Sequence, residues 1–147
     1  MTKILIDQVG NKVEVVNKLK RIISTVPSQT ELLYYFGMED QIVGITEYCI
    51  HPKVKVEKVE KIGGTKNLDL VKIRNLKPDL IISSKEENTK EQIEELAKDF
   101  PVWVSDIRSL EDAYKMIERI GALCNKNDLA QNATSNIHTS INLLKEK

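Results

Sequence analysis

The chain has 147 residues, 22 basic and 22 acidic side chains, a formal net charge of zero and 41% hydrophobic residues. That length suits one domain, or one lobe of a larger one, able to bury a core without disulfide or metal staples. Acids and bases are interleaved, as in KVKVEKVEK, which excludes the clustered basic footprint of a nucleic-acid binder; no apolar run is long enough to span a bilayer, and two cysteines, Cys49 and Cys124, make no disulfide framework.

In chain order, residues from Lys3 to Val16 alternate around Gly10-Asn11, which predicts a β-hairpin. Met1-Thr2-Lys3 leads straight into KILID, without a basic head and a long apolar core, so no secretory signal is visible. Four strand–helix repeats follow. The first strand runs from Arg21 to Val26, and Ser28 with Glu31 reads as an S-x-x-E capping box for a helix ending at Gly37. A second strand, about Ile42 to Thr46, precedes a long loop from Glu47 to Lys66. Asn67 is placed to cap the next helix, which ends before Pro78 because the residue before proline disfavours helix. The third strand, Asp79 to Ser83, is nearly all apolar, as expected when both faces are buried. Thr89 and Gln92 form a second capping box, Val102 to Val104 is the fourth strand, and Ser109 caps a helix with Ala113, Ile117 and Ile120 on its apolar side. Trp103, between Val102 and Val104, fits a core. Residues Lys126 to Lys147 read as one long helix with Leu129, Ala133, Ile137, Ile141 and Leu144 on one face. The alternation predicts an α/β fold: a parallel sheet of about four strands flanked by helices, with right-handed crossovers.

Each strand ends in a polar loop, and in open α/β sheets ligands bind at such ends. Cys49-x-His51 is the sharpest candidate: residues two apart in an extended loop point the same way, and thiolate with imidazole suits zinc, copper, iron or the axial face of a metal chelate. Two ligands fall short of a complete metal site, and a second reading stands beside the first: Cys49 packs as a small apolar residue and His51 bonds the loop before Pro52. Tyr48 offers a flat apolar face with a polar tip, or core packing. Ser28 and Gln29 lie at a helix N-terminus, where free N–H groups favour anionic or carbonyl groups, or where they simply cap. Gly64 and Thr65, in the turn Gly63-Gly64-Thr65-Lys66, allow close backbone approach without P-loop spacing. Glu86, Glu87 and Asn88 after the third strand, and Asp106 and Arg108 after the fourth, face the same cleft or only begin the next helices. No nucleophile with an oriented base and oxyanion donors can be placed, so the pattern argues for binding rather than catalysis.

The blocks VPSQTELL, VGITEYCIHP, GGTKN, LKPDLII and PVWVSDIRSLEDA, in this order, resemble the substrate-binding proteins of ABC importers for cobalamin and ferric siderophores, two-lobed proteins joined by one long helix. The resemblance starts at Asp7-Gln8-Val9-Gly10-Asn11, runs to about Gly121, and covers that family's first lobe and the start of its connecting helix. It implies a ligand-binding lobe over residues 1–125 and a helix over 126–147 that would link to a second lobe. It also implies a corrinoid, haem or ferric chelate as the bound ligand and an ABC permease as partner. The family is periplasmic or membrane-anchored, whereas no signal is visible in the chain as read, so either a signal has been removed from it or the protein works in the cytosol. In cobalamin binders the loop after the second strand carries an aromatic residue that lines the cleft, which Tyr48 matches. Members that dock to a permease carry a glutamate in the helix before LKPD; here that position is Val71, with Asp69 two residues earlier, so the docking acid is not matched. Two other classes stay open: a cytosolic metal- or tetrapyrrole-handling, chelatase-like protein, and a homodimer module built on the 126–147 helix without ligand.

Overall fold

The computed structural model describes residues 1–49 and 52–145, with side chains up to residue 138. Thr2–Ile6 (β1) and Lys12–Val16 (β2) pair antiparallel, with Ile4 opposite Glu14, as the alternation predicts. The Asp7 carboxylate holds the turn, accepting from the Val9 and Asn11 N–H groups at 3.1 and 2.8 Å. It also accepts from Val104 N–H at 3.2 Å, while Gln8 N–H donates to the Val104 carbonyl at 3.1 Å. The hairpin turn therefore closes a sheet edge that would otherwise offer free backbone groups to another chain.

That sheet is parallel and five-stranded. It contains Ile22–Ser24 (β3), Ile42–Ile45 (β4), Glu60–Lys61 (β5) and two strands that lie further along the chain. After β5, Gly63–Gly64 (β6) and Asn67–Leu68 (β7) form a short antiparallel ribbon. Leu80–Ser84 (β8) and Val102–Ser105 (β9) complete the sheet, whose order is β5-β4-β3-β8-β9. The two-residue edge strand β5 is the addition to the four strands expected. Alternate side chains feed two cores. Ile22, Leu80, Ile82 and Trp103 enter one with Leu33, Phe36, Met116, Ile117 and Ile120; Ile23, Ile81, Val102 and Val104 enter the other with Ile73 and Leu96. Burial on both faces is why these strands are apolar almost throughout.

Among the described residues six helices flank the sheet: Pro27–Tyr35 (α1), Lys53–Val56 (α2), Leu70–Leu76 (α3), Lys90–Ala97 (α4), Leu110–Leu123 (α5) and Asn127–Lys145 (α6). Their caps correct the sequence reading in three places. The Ser28/Glu31 capping box does not form: Val26 is the N-cap, without a side-chain bond, and Pro27 occupies the first turn, where its missing N–H costs nothing. Asn67 lies in β7, and Asp69 caps α3 instead, accepting from Lys72 N–H at 3.1 Å. Thr89 caps α4, but Gln92 turns away from the cap to bond both backbone groups of Leu68. Ser109 caps α5 as expected. Gly37, at φ +74°, ends α1 in the left-handed conformation that favours glycine. Lys77 does the same for α3 at φ +49°, just before Pro78. Helix α6 buries Ala130 and partly buries Leu129 and Ala133 against the first core, while Ile137 is half-exposed. Cys124 is buried beneath α6, its thiol pushed up to about 12 by burial.

Candidate functional site at the carboxyl edge of the sheet

Because all five strands are parallel, their following loops share one edge, and the residues after β3, β4, β5, β8 and β9 meet there. A layer of buried hydroxyls lies beneath: Ser24, Thr25, Thr30, Thr46, Ser83, Ser84 and Ser105 are all buried. Such groups require partners once out of water. Ser24 Oγ receives Thr30 Oγ1 at 2.8 Å, and Thr25 Oγ1 donates to the Ile82 carbonyl at 2.9 Å. Sequence reasoning missed this layer; its signal was the polar residue closing each apolar strand in IIST, IISS and VWVS.

Asn88 ties the edge together. It is buried, and its Oδ1 accepts from Ser84 N–H at 2.9 Å and lies 2.8 Å from Thr25 Oγ1, whose single proton it shares with the Ile82 carbonyl. Its Nδ2 donates to the Thr65 carbonyl at 2.8 Å and the Thr25 carbonyl at 3.3 Å. One amide thus joins the ends of β3 and β8 to the turn after β6, which brings Asn88 and Thr65 together. Gly64 lies under the ring of Tyr48: a Cβ there would stand 3.2 Å from Tyr48 Cε2. Tyr48 itself is 59% exposed, so its other surface is open at the edge. The ribbon is held on by Glu47 N–H donating to the Gly63 carbonyl at 3.0 Å.

Cys49 turns the opposite way. It is 3% exposed and belongs to the first core, with its Sγ 3.2 Å from Thr30 Oγ1 and 3.4 Å from Thr46 Oγ1. His51 lies outside the described residues. Among the described residues no three His, Cys, Asp or Glu side chains gather to hold a metal ion. Ser28 is exposed at the start of α1. Gln29 is buried, and its side-chain amide has no hydrogen-bond partner among the described residues.

At the β8–β9 end the charges are knitted together. Glu86 Oε2 accepts from Ser84 Oγ at 2.7 Å and its Oε1 from Ile107 N–H at 3.1 Å, while Lys66 Nζ donates to the Glu86 carbonyl at 2.6 Å. Asp106 receives Arg108 Nε at 3.2 Å and lies 3.9 Å from Lys85 Nζ. A side-chain hydrogen bond with Glu86, then the Arg108 and Lys85 charges, hold the Asp106 carboxyl below the usual carboxylate range. Elsewhere, Val71 is exposed on α3, and the nearest acid, Asp69, is occupied in capping that helix.

A parallel sheet with its loops gathered at one edge, hydroxyl-lined beneath and with an exposed aromatic ring, can present backbone groups, hydroxyls and a flat apolar surface side by side. The family model described as periplasmic binding protein matches residues 22–147, and the chain belongs to that family. It is 33% identical over 150 residues to an uncharacterized ABC transporter substrate-binding lipoprotein, YvrC, of Bacillus subtilis, a match covering 98% of this chain and 47% of the relative. To the vitamin B12-binding protein of Vibrio vulnificus it is 30% identical over 130 residues, covering 88% of this chain and 47% of that protein. The solved periplasmic vitamin B12 binding protein BtuF of Vibrio cholerae superposes with a TM-score of 0.75 at 28% identity, over 87% of this chain and 50% of that one. The chain spans about half the length of the curated relatives it matches. The resemblance read from the five sequence blocks is thereby borne out.

Proposed function

We propose that this chain forms the first ligand-binding lobe of an ABC-importer substrate-binding protein, and that it holds a metal chelate of the corrinoid, haem or ferric-siderophore kind without changing it chemically. The observation that carries this reading is the open ring of Tyr48, seated on Gly64 at the carboxyl edge of the sheet, in a chain whose relatives include vitamin B12-binding proteins. A ring that is apolar on its face and polar at its tip suits a flat macrocycle carrying polar substituents. Ser28, Gly64, Thr65 and Glu86 complete the contact surface in this reading, and Gln29 and Asn88 form its floor. Helix α6 leads toward a second lobe that closes the cleft, and a permease receives the loaded protein. With Cys49 seated in the core, the ligand is held by shape and hydrogen bonds, and a metal bond through Cys49 and His51 would require the thiol to turn outward.

The test is titration of the chain with cyanocobalamin, dicyanocobinamide and haemin, followed through the backbone amides of the edge loops. Saturable shifts at residues 46–48, 63–66 and 84–88 are expected, and Tyr48→Ala should weaken binding at least about tenfold, or about 1.4 kcal/mol. No shifts up to millimolar ligand would overturn the reading. Metal insertion into a free porphyrin would favour the chelatase-like alternative instead.

A further inference from the structure

Gln29 breaks the pattern that its neighbours in the buried polar layer keep. It is 1% exposed, and among the described residues neither its Nε2 nor its Oε1 has a hydrogen-bond partner. A buried amide left in this way costs free energy on its donor side and on its acceptor side. The hydroxyls around the start of α1 are already paired with one another. Thr30 Oγ1 donates to Ser24 Oγ at 2.8 Å, and Ser24 Oγ donates on to the Val26 carbonyl at 3.1 Å. Asn88, another buried amide of this edge, is bonded through both its atoms. Further along α1 the inward face is core: Leu33, one turn on, and Phe36 are buried among the apolar side chains of the first cluster. Side chains on a helix lean toward its N-terminus. The amide of Gln29, in the first turn, is therefore aimed toward the carboxyl edge and the exposed Ser28. Val26 supplies no side-chain cap, and the N–H groups of Ser28 and Gln29, which have no carbonyl of their own helix to reach, point the same way.

We propose that Gln29 is a specificity-determining contact for a carboxamide group of the ligand. A turn about its side-chain torsions carries the amide from beneath the edge to the opening beside Ser28, where it exchanges two hydrogen bonds with a primary carboxamide. The inference rests on the chelate-binding reading and narrows it to ligands with carboxamides on their periphery. The two groups are complementary. Gln29 Nε2 donates to the ligand's carbonyl oxygen, whose second lone pair takes Ser28 N–H, and the ligand's own NH2 donates to Gln29 Oε1. A carboxylate in the same place has acceptors only. It sets an oxygen against Oε1 with no proton between them and leaves that acceptor unpaired. A site built to bond a donor rejects the analogue that lacks it. Because the amide is unpaired before the ligand arrives, no internal side-chain bond is broken to form the new ones. A corrinoid, whose periphery is carboxamide, fits this contact, and haem, whose polar groups are carboxylates, does not.

The experiment compares the intact chain with Gln29→Met, which keeps the length of the side chain and removes its polar atoms. The probes are dicyanocobinamide, which carries carboxamides, and dicyanocobyrinic acid, in which the peripheral groups are carboxylates. The wild-type chain is expected to bind dicyanocobinamide at least about tenfold more tightly than the acid, and Gln29→Met to remove that preference by losing affinity for the amide probe alone. Since no internal hydrogen bond is lost, the variant should unfold at the wild-type temperature or above it. A preference that Gln29→Met leaves unchanged, with dicyanocobinamide still bound, would overturn the role of Gln29 and leave the chelate reading standing. A variant that is destabilised and keeps the preference would show that the amide serves the fold, which overturns the role equally. The wild-type chain gives a second readout that needs no variant to fold: the Gln29 side-chain NH2 resonances should move on saturation with dicyanocobinamide, and resonances that stay in place would overturn the proposal. Binding of neither probe to the wild-type chain would overturn the chelate reading and this inference with it.

Discussion

Replacing Asn88 with alanine tests whether the carboxyl edge is held by one buried amide. In β8, alternate N–H groups face β3: Leu80 N–H reaches the Arg21 carbonyl, and Ser84 N–H, two steps beyond Ile82, would face the place where β3 has already turned into α1. Asn88 Oδ1 takes that donor at 2.9 Å, and its Nδ2 takes the Thr65 carbonyl at 2.8 Å. Alanine strands two buried groups, the Ser84 N–H and the Thr25 carbonyl that Nδ2 also reaches at 3.3 Å, and leaves the half-buried Thr65 carbonyl to water, whereas the Thr25 hydroxyl keeps the Ile82 carbonyl. A stranded buried polar group costs roughly 1–3 kcal/mol, so the two together cost about 4 kcal/mol. For a domain of this size each kcal/mol lowers the melting temperature by roughly 2–4 °C, which puts the expected fall at about 8–16 °C. Thermal unfolding followed by circular dichroism measures it, with urea titration to check that the slope, and therefore the surface exposed, is unchanged. Asn88→Asp should not rescue, because its second oxygen would face the Thr65 carbonyl without a proton to donate. A fall below about 3 °C for Asn88→Ala, with the transition still cooperative, would show that the edge does not depend on this amide.

Gly63→Ala should destabilise by about 2 kcal/mol or more, because the residue stands at φ +99° and its new Cβ would meet backbone, 2.5 Å from the Asn67 carbonyl oxygen and 3.0 Å from Asp69 N; urea unfolding measures the loss, and a change under about 0.5 kcal/mol would contradict the turn geometry. Asp106 has a lowered pKa in the folded chain, so its contribution is present above the ordinary aspartate value of about 3.9 and is lost as pH falls through the lower folded value. Asp106→Asn should therefore be less stable than wild type at pH 7, with the gap closing only as pH falls below about 3.9 and through the lower folded value. Two unfolding curves that stay parallel over that range would refute the sign.

The strands were legible because of burial on both faces: a run such as LIIS between turn residues has few other uses in a chain of this length. The elements that escaped were too short to leave a period. Glu60–Lys61 and the ribbon of Gly63–Gly64 with Asn67–Leu68 contribute two residues per strand, and they are placed by what they pair with rather than by their own pattern. The capping errors share one cause. S-x-x-E at Ser28 satisfies a local rule, but Pro27 already fits the first turn of α1 and moves the cap back to Val26; Asn67 could cap, but the turn at Gly63 folds it into a strand and leaves the role to Asp69. Topology decides the site in the same way. That Tyr48 follows a strand was readable, but the sequence left its ring open or packed, and neither its exposure nor the direction of Cys49, one residue later and beside Thr30 and Thr46, could be read from the pattern. Asn88 shows the limit most clearly. Its residue type and its place after a strand marked it as a candidate contact, yet its amide is divided among Thr25, Thr65 and Ser84, positions 63, 23 and 4 residues away that only the parallel order of β3 and β8 brings together. Chemistry at a sheet edge can be nominated from sequence, but whether a side chain serves the ligand or the fold is settled by which strand ends become neighbours.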